Sequence, residues 1–427
     1  MAEVVVVGGG LSGCAAAAAA ARAGAATTLI ERAEVLGGWG LLAGVVDHKY
    51  FPVREELKLM GGYDIFQVID GCTLHRDVKF PWPGPNGAMK DLYDATKLGP
   101  GLRQGLEKIG VKVKVQCRAT DVVMKGNRIE ALVLNDGSHL SADAFVDATG
   151  GAGGVSNCRT YGRGCAMCFQ RCPAFGDRVS IAAKAGVKEL KGKKRDGTYG
   201  PTNSAYALFK ESLSAEIRQE LERNGIICIP IPKALVNYER TRNITASANI
   251  DAGFAENALL VDIGFVAKRI AGGYTPLEEL RRIPGLENAI YAEPFAGTIG
   301  NAVRYMALTP RDEALRVKGI ANLFVASEKV GINGIGEAIV PGVVAGHNAA
   351  RNSRGLEPLV LPRTTMVGGF IAFGTENWDK EEWLCNRFTL YGGPFCEFAE
   401  KTGLYSEDPV QIKKRIVNNS LEGILLS

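Results

Sequence analysis

The chain has 427 residues, of which 46% are hydrophobic and 22% charged, and its formal net charge is +4. This composition is typical of a globular protein with a substantial core, and it excludes an intrinsically disordered chain. The mild positive charge neither requires nor excludes a nucleic-acid partner, because such binding depends on clustered charge rather than on the total.

The sequence predicts a cytoplasmic protein with no membrane partner. Its N-terminus has neither the basic lead nor the long apolar core of a signal peptide. No segment approaches the run of about 18 apolar residues that a membrane helix needs. Thiols stay reduced in the cytosol, so we expect the 10 cysteines to bind metal, to do redox chemistry or to be buried.

The first thirty residues have the pattern of a strand, a glycine-rich turn, a helix and a second strand. The apolar run 4–7 is typical of a parallel strand that is buried on both faces. The glycines that follow fit the GxGxxG pattern, and Glu31 ends the second strand, where its carboxylate can accept a hydrogen bond from a ribose hydroxyl. This unit predicts a dinucleotide site. Its predicted cofactor-binding residues are Gly8, Gly10, Leu11, Ser12, Gly13, Glu31 and Arg32.

Two later stretches favour FAD over NAD. They are "FVDATGG" at 145–151 and "IANLFVASEKVGINGIGEAIVPGVVAGHNAAR" at 320–351. With the first motif, they resemble the FAD-dependent oxidoreductases of the glutathione-reductase-like superfamily. The resemblance implies that the late turn and helix meet the flavin side of FAD. It adds the cofactor-binding residues Gly37, Gly38, Ala148, Gly150, Gly334, Gly336 and Glu337. A second GxGxxG is absent, so NAD(P)H would dock only transiently as a donor.

A narrower resemblance lies in "RRIPGLENAIYAEPF" at 281–295 together with the late glycine turn. These stretches are similar to the glucose-inhibited division protein A family and to its shorter relatives, the folate- and FAD-dependent tRNA uracil-5 methyltransferases. The resemblance implies a thiolate beside the flavin, with Cys172–Pro173 as the matching pair. The chain lacks the cysteine that those relatives place after the position of Glu31. The resemblance therefore predicts the fold of this chain but does not predict its substrate.

Four cysteines lie in "NCRTYGRGCAMCFQRCP" at 157–173. Cys165, Cys168 and Cys172 have the spacing of the last three ligands of a ferredoxin-type run, and Cys158 could complete the ligand set of a [4Fe–4S] cluster. In the alternative, neighbouring arginines favour thiolates, and Cys165, Cys168 and Cys172 act as catalytic thiols beside the flavin. A zinc site and simple packing also stay open, although the polar surroundings favour a function.

His48, which follows Asp47 and the flavin-facing glycines, is a further catalytic candidate, as an acid or base. The alternative is a hydrogen-bonded structural histidine. The basic stretch 188–203 is typical of a solvated surface loop, and a contact with RNA phosphates is the second interpretation.

The predicted fold is α/β. A Rossmann-like FAD-binding domain with a parallel sheet occupies residues 1–150 and 301–364. An inserted α+β substrate or cap domain occupies 151–300, and a helical C-terminal tail occupies 365–427. We expect the tail to cover the flavin or to form a contact in a homodimer.

The predicted function is that of an FAD-dependent oxidoreductase. Flavin and nearby thiols would transfer a hydride or electrons to or from a small-molecule substrate in the cap domain. The alternatives are a folate- and FAD-dependent enzyme that modifies RNA uridines, and a flavin/iron–sulfur subunit that passes electrons to a redox partner protein. A flavin-binding protein without catalysis is the third.

Overall fold

The computed structural model describes residues 2–81, 88–151, 170–193, 197–199, 206–242, 253–272, 275–292, 307–332, 334–385 and 388–427. Strands are distributed along most of this length. They are β1 (Glu3–Val7), β2 (Ala26–Ile30), β3 (Val45–Asp47), β4 (Thr73–Phe80), β5 (Ala88–Tyr93), β6 (Lys112–Lys114), β7 (Ala119–Lys125), β8 (Arg128–Leu134), β9 (His139–Ser141), β10 (Ala144–Asp147), β11 (Leu190–Lys191), β12 (Tyr206–Phe209), β13 (Ile226–Pro230), β14 (Asn257–Asp262), β15 (Val266–Arg269), β16 (Ala307–Leu308) and β17 (Leu323–Val325).

Helices alternate with the strands in the first part of the chain and dominate its end. They are α1 (Leu11–Arg22), α2 (Gly40–Ala43), α3 (Phe51–Met60), α4 (Asp64–Gly71), α5 (Ala95–Lys108), α6 (Cys172–Phe175), α7 (Ile181–Lys184), α8 (Ala215–Asn224), α9 (Tyr238–Arg242), α10 (Gly253–Glu256), α11 (Leu277–Leu280), α12 (Ile335–Ser353), α13 (Met366–Asn377), α14 (Gly393–Lys401) and α15 (Pro409–Asn418). No α-helix among the described residues combines the length and apolar character that a bilayer crossing demands.

A five-stranded sheet with the order β17-β10-β1-β2-β6 forms the centre of the molecule. Its neighbouring strands are all parallel, and Val5 pairs with Thr28 on one side and with Phe145 on the other. The strand β1 is buried from Val4 to Val7 because helices cover the sheet. The predicted α/β fold with a parallel sheet is confirmed.

The alanine run of α1 permits close packing against α12. Ala15 to Ala20 are buried, and α12 crosses them directly. A Cβ atom at Gly346 of α12 would lie only 2.0 Å from the carbonyl oxygen of Ala16. The two helices therefore approach at a distance that larger side chains would prevent, and this contact fixes α12 relative to the glycine turn.

The inserted part contributes an antiparallel sheet, β12-β15-β14-β13, with its own apolar cluster under α8. A second antiparallel sheet, β3-β5-β4, comes from the first part of the chain. Buried side chains of both sheets, including Phe80, Leu92, Val261 and Val266, form one cluster between them. This packing places the two sheets beside the parallel sheet, where they extend the site described below.

The C-terminal helices are anchored to the nucleotide-binding part by buried polar groups. Glu56 of α3 accepts hydrogen bonds from the backbone N–H groups of Met366 (2.8 Å) and Val367 (2.9 Å), at the N-terminus of α13. Arg311 is almost completely buried, and it donates to the carbonyl oxygens of Val330 (2.9 Å) and Gly374 (3.0 Å). The tail is therefore an integral part of the core.

Candidate functional site

A cavity of about 440 Å³ lies at the carboxyl ends of β1, β2 and β10. That is the edge at which doubly wound sheets bind ligands, and the volume is within the usual range for small-molecule sites. We call its two ends the Glu31 end (Glu31, Arg32, Cys117 and Arg118) and the Tyr50 end (Asp47, Tyr50, Lys90, Gly334 and Tyr391).

The predicted glycine turn lies between these ends. A Cβ atom at Gly13 would lie 1.7 Å from the carbonyl oxygen of Gly8, so this residue permits the close contact between turn and helix. Gly8, with φ of 106°, lines the cavity together with Gly10, Leu11 and Ser12. No side chain caps α1 at Gly10, so its first amides are open to an anion.

The second glycine pair, Gly37 and Gly38, continues this wall. Gly37 forms an isolated parallel bridge with Gly10, and its N–H donates to the carbonyl oxygen of Gly9 at 2.7 Å. A Cβ atom at Gly38, whose φ is 51°, would lie 2.9 Å from the Cα atom of Gly10. Both residues line the cavity, and their contact with a cofactor stays a prediction.

Glu31 is held at the end of β2 by backbone amides. Its carboxylate oxygens accept from the N–H groups of Gly9 (2.6 Å) and Ala33 (2.8 Å), and the residue lines the cavity. Arg32 also lines it and donates to the carbonyl oxygen of Gly176 at 3.1 Å and to Oε1 of Gln170 at 3.0 Å. The predicted pair thus forms the Glu31 end, and the other lining positions Ala148 and Gly150 follow β10.

Ser327 is a lining residue that the sequence did not single out. Its φ is 68°, which is uncommon for a residue other than glycine, and its N–H donates to Oγ of Ser12 at 2.8 Å. Its own Oγ is buried without a hydrogen-bond partner among the described residues. A buried hydroxyl of this kind beside the open amides of α1 fits a polar ligand such as a dinucleotide.

The predicted residues of the late glycine turn do not all line the cavity. Gly334 lines the cavity, but Gly336 and Glu337 are not among its described lining residues. Gly336 instead leaves room for the ring of Tyr50, since a Cβ atom there would lie 2.8 Å from that ring. Glu337 is completely buried with its carboxyl group beside Gly334, and its Oε1 accepts from the N–H of Leu390 at 2.6 Å. Burial raises the pKa of Glu337 to about 8.

Charged and aromatic side chains converge at the Tyr50 end. Asp47 is buried and forms an ion pair with Lys90. The ammonium of Lys90 lies 5.4 Å from the ring centre of Phe80 and 5.8 Å from that of Tyr391. Tyr391 stands edge-on to Tyr50 at 6.1 Å. All five residues line the cavity. Sequence reasoning missed them, because Asp47, Lys90 and Tyr391 come from distant segments without a shared motif.

The structure places His48 outside the set of described residues that line the cavity. Its Nε2 lies 3.0 Å from Oδ1 of Asp91 and 3.7 Å from Oδ1 of Asp77, and its side chain is 39% exposed. The partners on β5 differ, because Asp47 pairs with Lys90, which lines the cavity, whereas His48 pairs with Asp91. The geometry corresponds to the hydrogen-bonded histidine that was the alternative interpretation.

Three of the four clustered cysteines, Cys158, Cys165 and Cys168, lie outside the described residues. Cys172 is described. It begins the short helix α6 and is partly buried. Its neighbour Arg171 forms an ion pair with Glu34 and lines the cavity, as does Phe175. The segment that carries Cys172 therefore packs near Arg32 at the Glu31 end, and Cys172 itself is not among the described lining residues.

Two parts of the chain match models of known protein families. Residues 3–155 match the family model "FAD dependent oxidoreductase", and residues 276–357 match "Glucose inhibited division protein A". The first third of the chain is thus similar to FAD-dependent oxidoreductases, and a later stretch is similar to the glucose-inhibited division protein A family, the resemblance that the sequence predicted.

Relatives support this assignment. A protein of Dictyoglomus thermophilum named methylenetetrahydrofolate–tRNA-(uracil-5-)-methyltransferase TrmFO is 36% identical over 95 residues, which is 22% of this chain and 21% of that protein. The protein of the same name from Symbiobacterium thermophilum is 28% identical over 229 residues, 50% of this chain and 46% of that one. The chain thus spans between about a fifth and about half of the length of these curated relatives.

A solved structure shows the same fold. Aquifex aeolicus GidA superposes with a TM-score of 0.65 and 19% sequence identity, and the match covers 97% of this chain and 76% of that one. FAD is therefore the cofactor that these similarities imply for the cavity, and the open amides of α1, the fixed Glu31 carboxylate and the buried Ser327 hydroxyl fit it.

Proposed function

We propose that this chain is an enzyme, an FAD-dependent oxidoreductase that binds FAD along the cavity and a small-molecule substrate at the Tyr50 end. The observation that supports the proposal most is that one continuous cavity joins the glycine turn, the Gly37–Gly38 turn and the N-terminus of α12. These segments are distant in sequence, and a ligand that is shared among them must be long.

The chain's own groups supply the contacts that such a ligand needs. The amides at the N-terminus of α1 would bind the pyrophosphate, and the carboxylate of Glu31 would accept a hydrogen bond from the ribose. Ser327 Oγ offers a further donor or acceptor nearby. When bound, FAD supplies a ring that accepts or donates a hydride or single electrons.

The Tyr50 end would position the substrate. Lys90 can donate a hydrogen bond or a proton to it, and Asp47 holds the Lys90 ammonium in place. The rings of Phe80 and Tyr391 shield that ammonium from water, which strengthens its interaction with a polar substrate group. We propose Lys90 as the catalytic or substrate-orienting residue at this end.

Anaerobic reduction of the purified protein tests this function. We propose in addition that NADH or NADPH docks transiently as the electron donor, and we expect the protein to carry bound FAD whose absorbance is lost when either is added. Lys90→Met should keep the flavin and lose turnover. Lys97→Met removes an exposed lysine with the same substitution and serves as the control. A colourless protein, or a flavin that neither nicotinamide reduces, contradicts the proposal.

We propose two alternative roles for the cysteines Cys158, Cys165, Cys168 and Cys172. A thiol set would assist the oxidoreductase reaction, and an iron–sulfur cluster would make the chain an electron carrier for a partner protein. Iron and acid-labile sulfide assays on anaerobic protein separate them. Iron near four atoms per chain supports the cluster. Iron-free protein whose turnover falls in Cys172→Ala supports the thiol.

A second candidate function rests on the names of the relatives. Two of them are methylenetetrahydrofolate–tRNA-(uracil-5-)-methyltransferases, and one of these matches half of this chain. We propose as the alternative that the chain modifies RNA uridines with FAD and a folate. Incubation with unmodified tRNA and methylenetetrahydrofolate, followed by mass spectrometry of the nucleosides, tests it. 5-Methyluridine above the level of a no-enzyme control supports this function, and its absence with flavin-loaded protein contradicts it.

A further inference from the structure

The segment Phe388–Tyr391 connects the C-terminal tail to the Tyr50 end of the cavity. The N–H of Phe388 donates to the carbonyl oxygen of Gly331 at 3.0 Å, and Phe388 forms a parallel bridge with Ile332. Two residues later, the N–H of Leu390 donates to Oε1 of Glu337 at 2.6 Å. The segment is therefore attached at two points to the turn that precedes α12 and to the first turn of that helix.

The second attachment point is completely buried. Glu337 has no exposed surface, and Leu390 is 1% exposed. A buried carboxyl group that accepts a backbone hydrogen bond cannot move to another partner without leaving a buried N–H unsatisfied. Leu390 is consequently fixed relative to α12, and so is the next residue, Tyr391.

Tyr391 is the residue through which this segment reaches the cavity. Its ring stands edge-on to that of Tyr50, with an interplanar angle of 73°, and the ammonium of Lys90 lies 5.8 Å from its centre. It thus contacts the same group that we propose to orient the substrate. Phe388, Thr389 and Leu390 are buried, so Tyr391 is where the segment emerges from the core.

The segment also lies outside both stretches that the family models match, 3–155 and 276–357. Neither family-model match therefore includes Tyr391. A residue that lines a ligand cavity is well placed to distinguish one substrate from another.

We propose that Tyr391 closes the Tyr50 end of the cavity over the bound ligand and determines which molecules reach it, and that Glu337 is the positioning residue that holds Tyr391 there through Leu390. The closing role rests on the proposed function, because it assumes that a flavin occupies the cavity. The positioning role concerns the polypeptide alone and can be tested without flavin.

Acrylamide quenching of the fluorescence of the bound flavin measures the closing role. In Tyr391→Ala the quenching constant should rise about twofold or more, because a side chain that separates the cavity from solvent is lost. Tyr405→Ala, which removes a tail tyrosine that is not among the described lining residues, is the matched control and should leave the constant unchanged. An unchanged constant in Tyr391→Ala overturns the closing role.

Hydrogen exchange of the Leu390 amide measures the positioning role. In Glu337→Ala it should be faster by about tenfold or more, since a buried hydrogen bond is lost. Glu337→Gln should restore most of the protection, because the amide oxygen can accept from Leu390. Equal exchange in Glu337→Ala and the unaltered protein overturns the positioning role. If Glu337→Ala does not fold, Glu337→Leu replaces it, because leucine is of similar size and cannot accept a hydrogen bond. Equal exchange of the Leu390 amide in Glu337→Leu and the unaltered protein then overturns the positioning role.

These measurements distinguish a failure of the proposed function from a failure of the roles of Tyr391 and Glu337. Protein that binds no FAD contradicts the proposed function, and it also removes the closing role, which depends on it. The exchange of Leu390 can still be measured on that protein. Flavin-loaded protein that is unaffected by Tyr391→Ala contradicts the closing role alone.

Discussion

At the scale of single residues, the sequence predicted the glycines and Glu31 because their roles are fixed by local backbone geometry. A turn that brings two backbone segments into contact needs glycine wherever its neighbours lie within van der Waals distance, and Gly8, Gly13 and Gly38 meet that condition. Ser327 and Lys90 could not be predicted in this way. Their importance arises from tertiary contacts with Ser12 and Asp47, which no local spacing encodes.

The first prediction concerns Gly13. In Gly13→Ala the new Cβ atom would meet the carbonyl oxygen of Gly8 at 1.7 Å, so the turn must open. We expect a loss of about 1–3 kcal/mol in the free energy of unfolding, together with weakened FAD binding. Denaturant unfolding and flavin content measure the two effects. Gly71→Ala, at a glycine with no atoms within 4 Å of the added Cβ, is the control. Equal stability of the two variants would show that the turn tolerates the side chain.

The second prediction concerns the pH dependence that Glu337 imposes. Burial, with a further contribution from Asp47, raises its pKa from 4.5 to about 8. The folded protein therefore binds a proton that the unfolded chain has released between these two pH values. The contribution of Glu337 is complete below pH 4.5, and it is lost as the pH rises through this window toward 8.

Glu337→Gln provides the comparison, because glutamine does not ionise. Between pH 5 and 8 the melting temperature of the unaltered protein should fall relative to that of the variant. Other titrating groups, including His347, are common to both proteins and cancel in this difference. A constant difference across the window would show that Glu337 is ionised in the folded state.

At the scale of elements, the parallel sheet and the helix α1 were predictable because their apolar runs and alanines follow the periodicity of buried strands and close-packed helices. The C-terminal helices were predicted only as helices, with no assigned position. Their place depends on buried polar partners from remote segments, Glu56 at the N-terminus of α13 and Arg311 beside Gly374. The sequence spacing gives no information about such pairs, since 310 residues separate Glu56 from Met366 and 63 separate Arg311 from Gly374.

The third prediction tests the attachment of α13. Glu56→Gln replaces one carboxylate oxygen by an amide N–H, which cannot accept from Met366 or Val367. One buried backbone N–H then has no acceptor, and we expect a loss of about 1–3 kcal/mol in the free energy of unfolding. Glu55→Gln changes the neighbouring carboxylate, which is partly exposed and paired with Lys58, and should cost less than about 0.5 kcal/mol.

Thermal or denaturant unfolding of both variants distinguishes the outcomes. Similar losses in Glu56→Gln and Glu55→Gln would mean that the buried cap does not stabilise the docking of the tail. A large loss in Glu56→Gln alone would establish that the helix α13 is part of the same cooperative unit as the nucleotide-binding fold.

At the scale of the whole molecule, the cavity is formed by segments from every part of the chain. The glycine turn provides its middle, β2 and the segment around Arg171 provide the Glu31 end, and β3, β5 and the tail provide the Tyr50 end. The sequence predicted the glycine turn, Glu31, Arg32 and the late glycine turn, and it gave the flavin-facing role there to Gly334, Gly336 and Glu337. Among the described residues only Gly334 of these three lines the cavity, while Gly336 packs against Tyr50 and Glu337 accepts from Leu390.

The central claim is that the cavity binds FAD as a whole, from the Glu31 end to the Tyr50 end. Titration of the flavin-free protein with FAD and with FMN tests it most directly, because FMN lacks the adenosine half. The account predicts that FAD binds at least about tenfold more tightly, since only FAD has the adenosine ribose that Glu31 would accept from and a complete pyrophosphate for the amides of α1. Equal affinity for the two flavins, or no binding of FAD, would contradict it.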